Sequence, residues 1–338
     1  MTHSFHQPSV YITFDVECSM GGAWSNESLK PVSPARGIWG EYGDQRLGIP
    51  LIVDILNDYG LAATFFVDAF TDDQGYDGQT EPVCQYLLDR GQDVQLHIHP
   101  NKKHYGMKMR GEPYPMEDNF AGLSADQQLA LLQEGTERMT QWTGLRPAAF
   151  RAGNMGASEQ TLKQLAKVGI RVDSSYTFGS RFCRFEHTDP FNGSKWYDDV
   201  LELALSGFYQ PKIPPLRPTK KVDPVGVSFG ECRDAISAIC GAGADAVLIL
   251  HSFSLFKWRN SQFDGGRINR IVKRRFRETC RWLAEHAAKY PCQTFKEVAA
   301  AVDAGIYQAR EVPPCHLGRP IRALIRKGVQ GWNNVYWT

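Results

Sequence analysis

The 338-residue sequence carries almost no net charge: 38 Lys+Arg against 37 Asp+Glu leave +1. No overall field therefore draws it to nucleic acid or to an anionic surface. It contains no run of about 18 uninterrupted apolar residues, the length that a helical membrane span requires. Residues 1–8 show neither the basic start nor the apolar core of a secretory leader, so a cytoplasmic protein is expected. Internal repeats and low-complexity segments are absent. None of the eight cysteines forms a C-x-x-C pair, which removes the common zinc-ribbon and dithiol motifs and leaves them as small buried hydrophobes. Cys18 follows two carboxylates and is a soft ligand type, but its apolar neighbours favour packing.

What is present is alternation. Val10-Tyr-Ile-Thr-Phe-Asp15-Val-Glu17 reads as a buried strand that ends in two carboxylates on one face. Further strands are expected over Leu61–Val67, Asp93–His99, Ala148–Phe150, Ile170–Asp173, Val200–Leu205 and Ala246–His251. Helical stripes lie between them, among them Glu81–Arg90, Ser124–Trp142 with its Ser124–Gln127 capping box, Glu231–Cys240 and Arg267–Tyr290. Strand and helix in turn imply a parallel sheet with helical crossovers, hence an α/β barrel or an open α/β sheet.

Asp15 and Glu17, His97 and His99, Arg151, Asp173 and His251 all stand at C-terminal ends of these strands. That is the face on which parallel α/β folds build active sites. A carboxylate with two imidazoles is a ligand set for a catalytic zinc or similar divalent ion that keeps positions open for water and substrate. His97 and His99 share a strand face and can reach one ion. His104, farther along a polar loop, is a reserve ligand. A remaining carboxylate and a remaining imidazole then serve as proton acceptor and donor, which predicts hydrolysis of an amide or ester.

These motifs resemble the polysaccharide deacetylase (NodB-homology) superfamily. Thr13-Phe14-Asp15 is similar to its opening motif and Asp93-Val-Gln-Leu-His97 to its metal-histidine strand. Phe150-Arg151-Ala-Gly-Asn154 is similar to its arginine motif, and Leu248-Ile-Leu-His251 to its late Leu-x-x-His motif. Within the superfamily the chain looks closest to divergent WalW- and WbmS-like members found with lipopolysaccharide and surface-glycan biosynthesis. The resemblance implies an α/β fold, a distorted (β/α) barrel of the NodB type over residues 8–305. Long insertions would fall at 19–43, 102–121 and 174–224, with a C-terminal extension over 306–338. It implies Asp15 as base, Arg151 as its support, His251 as acid and a backbone N–H near Asn154 for the oxyanion. The cofactor would be a divalent metal, zinc foremost, and the substrate an N-acylated saccharide. Two positions depart from the pattern. Val16 stands where a ligand Asp is usual, making Glu17 the substitute, and Asn101 replaces the second histidine, so that His99 or His104 takes its role. Asp173 is the available tuner of His251.

Two function classes follow. One is a metal-dependent N-deacetylase, or a related amide hydrolase such as a deformylase or ring-opening amidohydrolase. The other is a catalytically silent glycan-binding or assembly protein, motivated by Val16 and Asn101. Lys102 and Lys103 are read as solvated charges. Ile321, Leu324 and Ile325 with Arg322, Arg326 and Lys327 form an amphipathic tail, for which docking on the barrel or a dimer partner is favoured over contact with a membrane surface.

Overall fold

The computed structural model describes residues 7–186, 188–214, 216–317 and 319–335. Its centre is β1 (Val10–Val16), every residue of which is buried. Alternation along β1 divides its side chains between two cores. Val10, Ile12, Phe14 and Val16 join the large core beneath the helices, whereas Tyr11 meets Phe66, Val172, Leu201, Val247 and Phe295 in a smaller one. Phe14 stacks on Phe65 at 4.8 Å and meets Phe276 edge-on at 5.7 Å.

The other strands of this sheet are β2 (Thr64–Asp68), β3 (Asp93–Ile98), β4 (Ala149–Ala152), β5 (Val172–Asp173), β6 (Asn192–Tyr197), β7 (Val200–Leu203), β8 (Ala246–His251), β9 (Cys292–Gln293) and β10 (Glu311–Val312). Their order is β8-β1-β2-β3-β4-β5-β7-β6-β10, with β9 also paired to β1. Pairing is parallel from β8 through β7 and antiparallel where β6 meets β7 and β10. Across the remaining seam Ser206 stands in for a strand: its N–H donates to the Val247 carbonyl at 3.0 Å, and its Oγ accepts from the Val247 N–H at 2.9 Å. The result is the distorted (β/α) barrel expected from the sequence.

The crossovers are α1 (Ile49–Asp58), α2 (Glu81–Leu88), α3 (Pro100–Met109), α4 (Ala125–Thr143), α5 (Glu159–Lys167), α6 (Phe229–Gly241), α7 (Arg270–Glu285) and α8 (Phe295–Asp303), followed by α9 (Pro320–Val335). Capping boxes at Ser124, Ser228 and Thr294 fix the starts of α4, α6 and α8. One expectation changes here. The segment from 102 is not loop at its start, because α3 runs through it with Pro100 in its first turn. Its residues Asn101-Lys-Lys-His104 carry no apolar stripe, so periodicity gives no sign of it.

Phe14→Ala should destabilise the fold by about 3–5 kcal/mol, since it empties a stacked position in the larger core. Urea denaturation followed by circular dichroism measures this, with Leu145→Ala at an exposed site as the near-neutral control.

Candidate active site and metal centre

Parallel register brings the polar strand ends into one line. Asp15 pairs with His251, Asp68 with His97, and His97 with Arg151. Arg151 is fully buried and donates from Nη1 to Asp15 Oδ1 at 2.7 Å and to Thr13 Oγ1 at 2.9 Å. Its Nε and Nη2 donate to the Ser174 carbonyl and hydroxyl, each at 3.0 Å, and its guanidinium lies over the Phe66 ring. Burial pushes the Asp15 carboxyl up, but Arg151, His97 and His251 together outweigh it and hold the group below its ordinary range. Asp15 is therefore an ionised carboxylate in a dry setting.

Glu17 lies beyond the end of β1, and its carboxylate is the meeting point of the site. Oε2 is 2.7 Å from His99 Nε2, 4.0 Å from His97 Nε2 and 3.5 Å from Lys102 Nζ; Oε1 is 3.7 Å from His251 Nε2. The Glu17 carboxyl is held well below its ordinary value: burial opposes this, and His99, Lys102 and His251 overcome it. His97 shares its Nδ1 proton with the Arg151 carbonyl at 2.8 Å, which leaves the Nε2 lone pair buried and without a partner. Burial lowers the pKa of this imidazole, so the neutral, ligating form is favoured. His99 rests between Glu17 and Asp118, whose Oδ1 is 3.3 Å from Nδ1. Although burial disfavours its charge, the two carboxylates raise its pKa to about 10.

The donor set fits a divalent cation. Glu17, His97 and His99 each offer one ligand atom, all within 4.8 Å of one another. The orphaned His97 Nε2 is the lone pair such an ion would take, and Asp118 behind His99 is the kind of outer carboxylate that orients a ligating imidazole. Gly153 lies against the His99 ring, where a Cβ would come within 2.5 Å of it. The ring's position thus depends on a glycine.

Three expectations need correction. His104 does not face this centre: its Nδ1 meets the Glu117 carbonyl at 3.1 Å, and the ring lines a neighbouring cavity of about 180 Å³ with Trp24, Asn101, Met116 and Asp118. The turn of α3 carries it away from His99. Asp173 is not beside His251, because it sits next to Glu202 across the β5–β7 pair and accepts from Ser175 Oγ at 2.8 Å. Burial, with Asp173 next to it, raises the Glu202 carboxyl well above its usual value. Lys102 is not a solvated charge. It is buried, and its Nζ lies 3.3 Å from Asp68 Oδ2 as well as near Glu17. Burial works against that ammonium, but Asp68 and Glu17 raise its pKa and keep it charged.

Four further residues belong to the site without having been singled out. Thr13 shares the Arg151 guanidinium, as above. Asp68 accepts from the His99 N–H at 2.8 Å and the Phe70 N–H at 2.9 Å, and so sets the turn from β3 into α3. Its signal was available, because it follows an apolar strand directly, as Asp15 and His251 do. Asp118 lies 19 residues from His99 in an irregular segment and gives no local signal. Asp223, which follows β-paired Thr219–Lys221, lies within the electrostatic reach of His251. Burial raises its carboxyl against the pull of the Val225 N–H and His251. Asn154 adopts a left-handed φ of 56° and donates from Nδ2 to Asp118 Oδ2 at 2.7 Å.

The sequence profile described as polysaccharide deacetylase matches residues 40–172. No curated protein matches the sequence. Among solved structures the chain is similar to a protein from Mycobacterium smegmatis assigned to the polysaccharide deacetylases, at 17% identity and a TM-score of 0.51 over 95% of this chain and 96% of the other. That likeness concerns the fold. A family 4 carbohydrate esterase from Streptomyces lividans, in complex with acetate, aligns at 14% identity and a TM-score of 0.41 over 82% and 88%. BA3943, a family 4 pseudoenzyme from Bacillus anthracis, aligns at 12% and 0.43 over 87% and 66%.

Removing Arg151 should leave Asp15 buried and uncompensated. Arg151→Met is expected to cost about 3–5 kcal/mol at neutral pH. Because the folded pKa of Asp15 is depressed, the stability from the pair is full above the carboxylate range and is lost as pH falls through the folded value. The gap between variant and wild type should therefore close below about pH 4. Urea melts across pH measure both effects.

Proposed function

We propose that this chain, a member of the polysaccharide deacetylase (NodB-homology) superfamily, is a metal-dependent hydrolase that removes an N-acetyl or other N-acyl group from a saccharide. The observation that carries this reading is the buried, unpartnered Nε2 of His97 facing the carboxylate of Glu17, with His99 completing the set. Glu17, His97 and His99 would hold the divalent ion, zinc foremost. When bound, such an ion polarises an acyl carbonyl and acidifies water.

The protein's own groups divide the proton transfers. Asp15, kept ionised by Arg151, accepts a proton from the attacking water. His251, partly open to solvent and seated across Glu17 from the other imidazoles, delivers a proton to the departing nitrogen. Stacking on Phe253 at 5.1 Å orients its ring. A backbone N–H near Asn154 is the proposed donor to the oxyanion, worth about 3–4 kcal/mol in comparable sites. The products are a carboxylate and a free amine. We place the substrate in surface-glycan or lipopolysaccharide synthesis on the strength of the motif resemblance to WalW- and WbmS-like proteins. A deformylase or ring-opening amidohydrolase would use the same groups with a different pocket.

One observation favours the silent alternative. Lys102 and a charged His99 already offset two of the three negative charges of Glu17, Asp68 and Asp118, so most of the carboxylate charge is compensated without an ion. Metal analysis of the purified protein separates the two readings: near-stoichiometric zinc or a similar ion supports the hydrolase, and its absence after growth in metal-replete medium supports the silent protein. With metal present, an acetate-release screen over N-acetylated sugars should find turnover that Asp15→Asn reduces by about 10³-fold or more with the fold intact. His97→Ala should abolish both metal retention and turnover. Lys102→Met removes a cation beside a ligand oxygen and should tighten divalent-ion binding in calorimetry by about tenfold.

A further inference from the structure

Helix α9 is docked with its polar side inward. Arg322 Nη1 donates to Asp234 Oδ2 at 2.6 Å. Arg326 is buried and donates from Nε to the Glu231 carboxylate at 3.0 Å, from Nη2 to Gln210 Oε1 at 2.6 Å and from Nη1 to the Gly226 carbonyl at 2.9 Å. Gln330 donates to the Val225 carbonyl at 2.9 Å, Asn333 donates from Nδ2 to Asn269 Oδ1 at 3.3 Å, and the Asn333 carbonyl accepts from Lys257 Nζ at 2.6 Å. These contacts all come from one side of the helix.

The opposite side is apolar and open. Ile321, Leu324, Ile325, Val329 and Trp332 follow the i, i+3, i+4, i+8, i+11 pattern of a single stripe. Ile321 is 75% exposed and Ile325 62%. Ile213 and Val225, exposed as well, lie on the two segments that Arg326 and Gln330 hold. Ion pairs thus hold α9 with Arg326 buried and Arg322 half-buried while its isoleucines face outward.

The charge around the stripe identifies the occupant. After Glu311 the sequence contains no acidic residue. Arg319, immediately before α9, and Lys327 on it are exposed, and Lys212 and Arg217 are exposed on the segment that flanks Ile213. The two acids that pair with α9, Asp234 and Glu231, are engaged on its inward side. An isologous dimer through this stripe would press those cations against their own copies as the interface dried. Anionic lipid headgroups neutralise the same cations while the acyl boundary receives the isoleucines, as for other interfacial helices. We infer that α9 seats the protein on the surface of an anionic lipid bilayer. No helix among the described residues is long and apolar enough to cross a membrane, so the contact is one of lying on the surface. The loop that α9 grips, Asp223–Gly226, includes the carboxyl within reach of His251, so the bilayer would lie beside the mouth of the site. The inference does not depend on the deacetylase reading.

Co-sedimentation of the full chain with phosphatidylcholine vesicles, with and without phosphatidylglycerol, tests it. Binding should require phosphatidylglycerol and weaken as salt is raised. The double variant Ile321→Glu/Ile325→Glu should reduce it by about tenfold or more, and Arg319→Glu/Lys327→Glu should reduce it independently. Unchanged melting temperatures verify that these exposed substitutions spare the fold. No binding by the wild type overturns the inference, as does binding that both double variants retain. A concentration-dependent dimer in sedimentation velocity that Ile321→Glu/Ile325→Glu abolishes would assign the stripe to a second copy and overturn it equally.

Discussion

The structure turns on the buried ion pair between Arg151 and Asp15. An arginine with no exposure at the centre of a barrel is tolerable only because every nitrogen of its guanidinium donates: to Asp15 and Thr13 on one side, and to the Ser174 carbonyl and hydroxyl on the other. The pair fixes β1 against β4 and the turn after β5 at the level where the chemistry sits. It also sets the sign of the field. Asp15 remains an anion in a region where burial alone would protonate it, and His97 is oriented through the Arg151 carbonyl.

Around that pair the charges come in compensating layers. Asp15 answers Arg151, Glu17 answers His99 and Lys102, Asp68 answers Lys102, and Asp118 answers His99. Removing one member of such a network leaves another buried without a partner, which costs more than the pair contributes. The burial of Val16 beside an acidic site is intelligible in these terms. Val16 belongs to the outer core with Phe14, so its side chain packs under the helices, while Glu17, one residue on and past the strand end, reaches the centre.

The barrel and its strand-end polarity were legible in the sequence because both follow from short-range rules. Alternation marks a strand, a 3.6-residue stripe marks a helix, and an ionisable group at the end of an apolar run marks the working face. Asp15, Glu17, His97, His99, Arg151 and His251 all obey that last rule, and the structure brings them together. What escaped was set by distant contacts. The partner of Asp173 is Glu202, from a strand whose order in the sheet periodicity does not reveal. Lys102 looked solvated because nothing local announces Asp68 and Glu17 around it, and α3 has no apolar stripe to betray it. Asp118 and Asp223 come from irregular segments whose path only tertiary structure defines. The tail was recognisably amphipathic, but which side faced the barrel depended on Glu231 and Asp234 far upstream.

The pairing of β1 has a bearing on how the chain is born. Residues 10–16 leave the ribosome long before two of their pairing partners, residues 246–251 and residues 292–293. Until those are synthesised, one edge of this fully buried strand has nothing to bond. Parallel pairing across so long a separation is slow to form, and a bare strand edge invites pairing with other chains. Holdase assistance during translation would therefore matter more for this protein than its final stability suggests. A truncation that ends before β8 would release an aggregation-prone fragment rather than a smaller barrel.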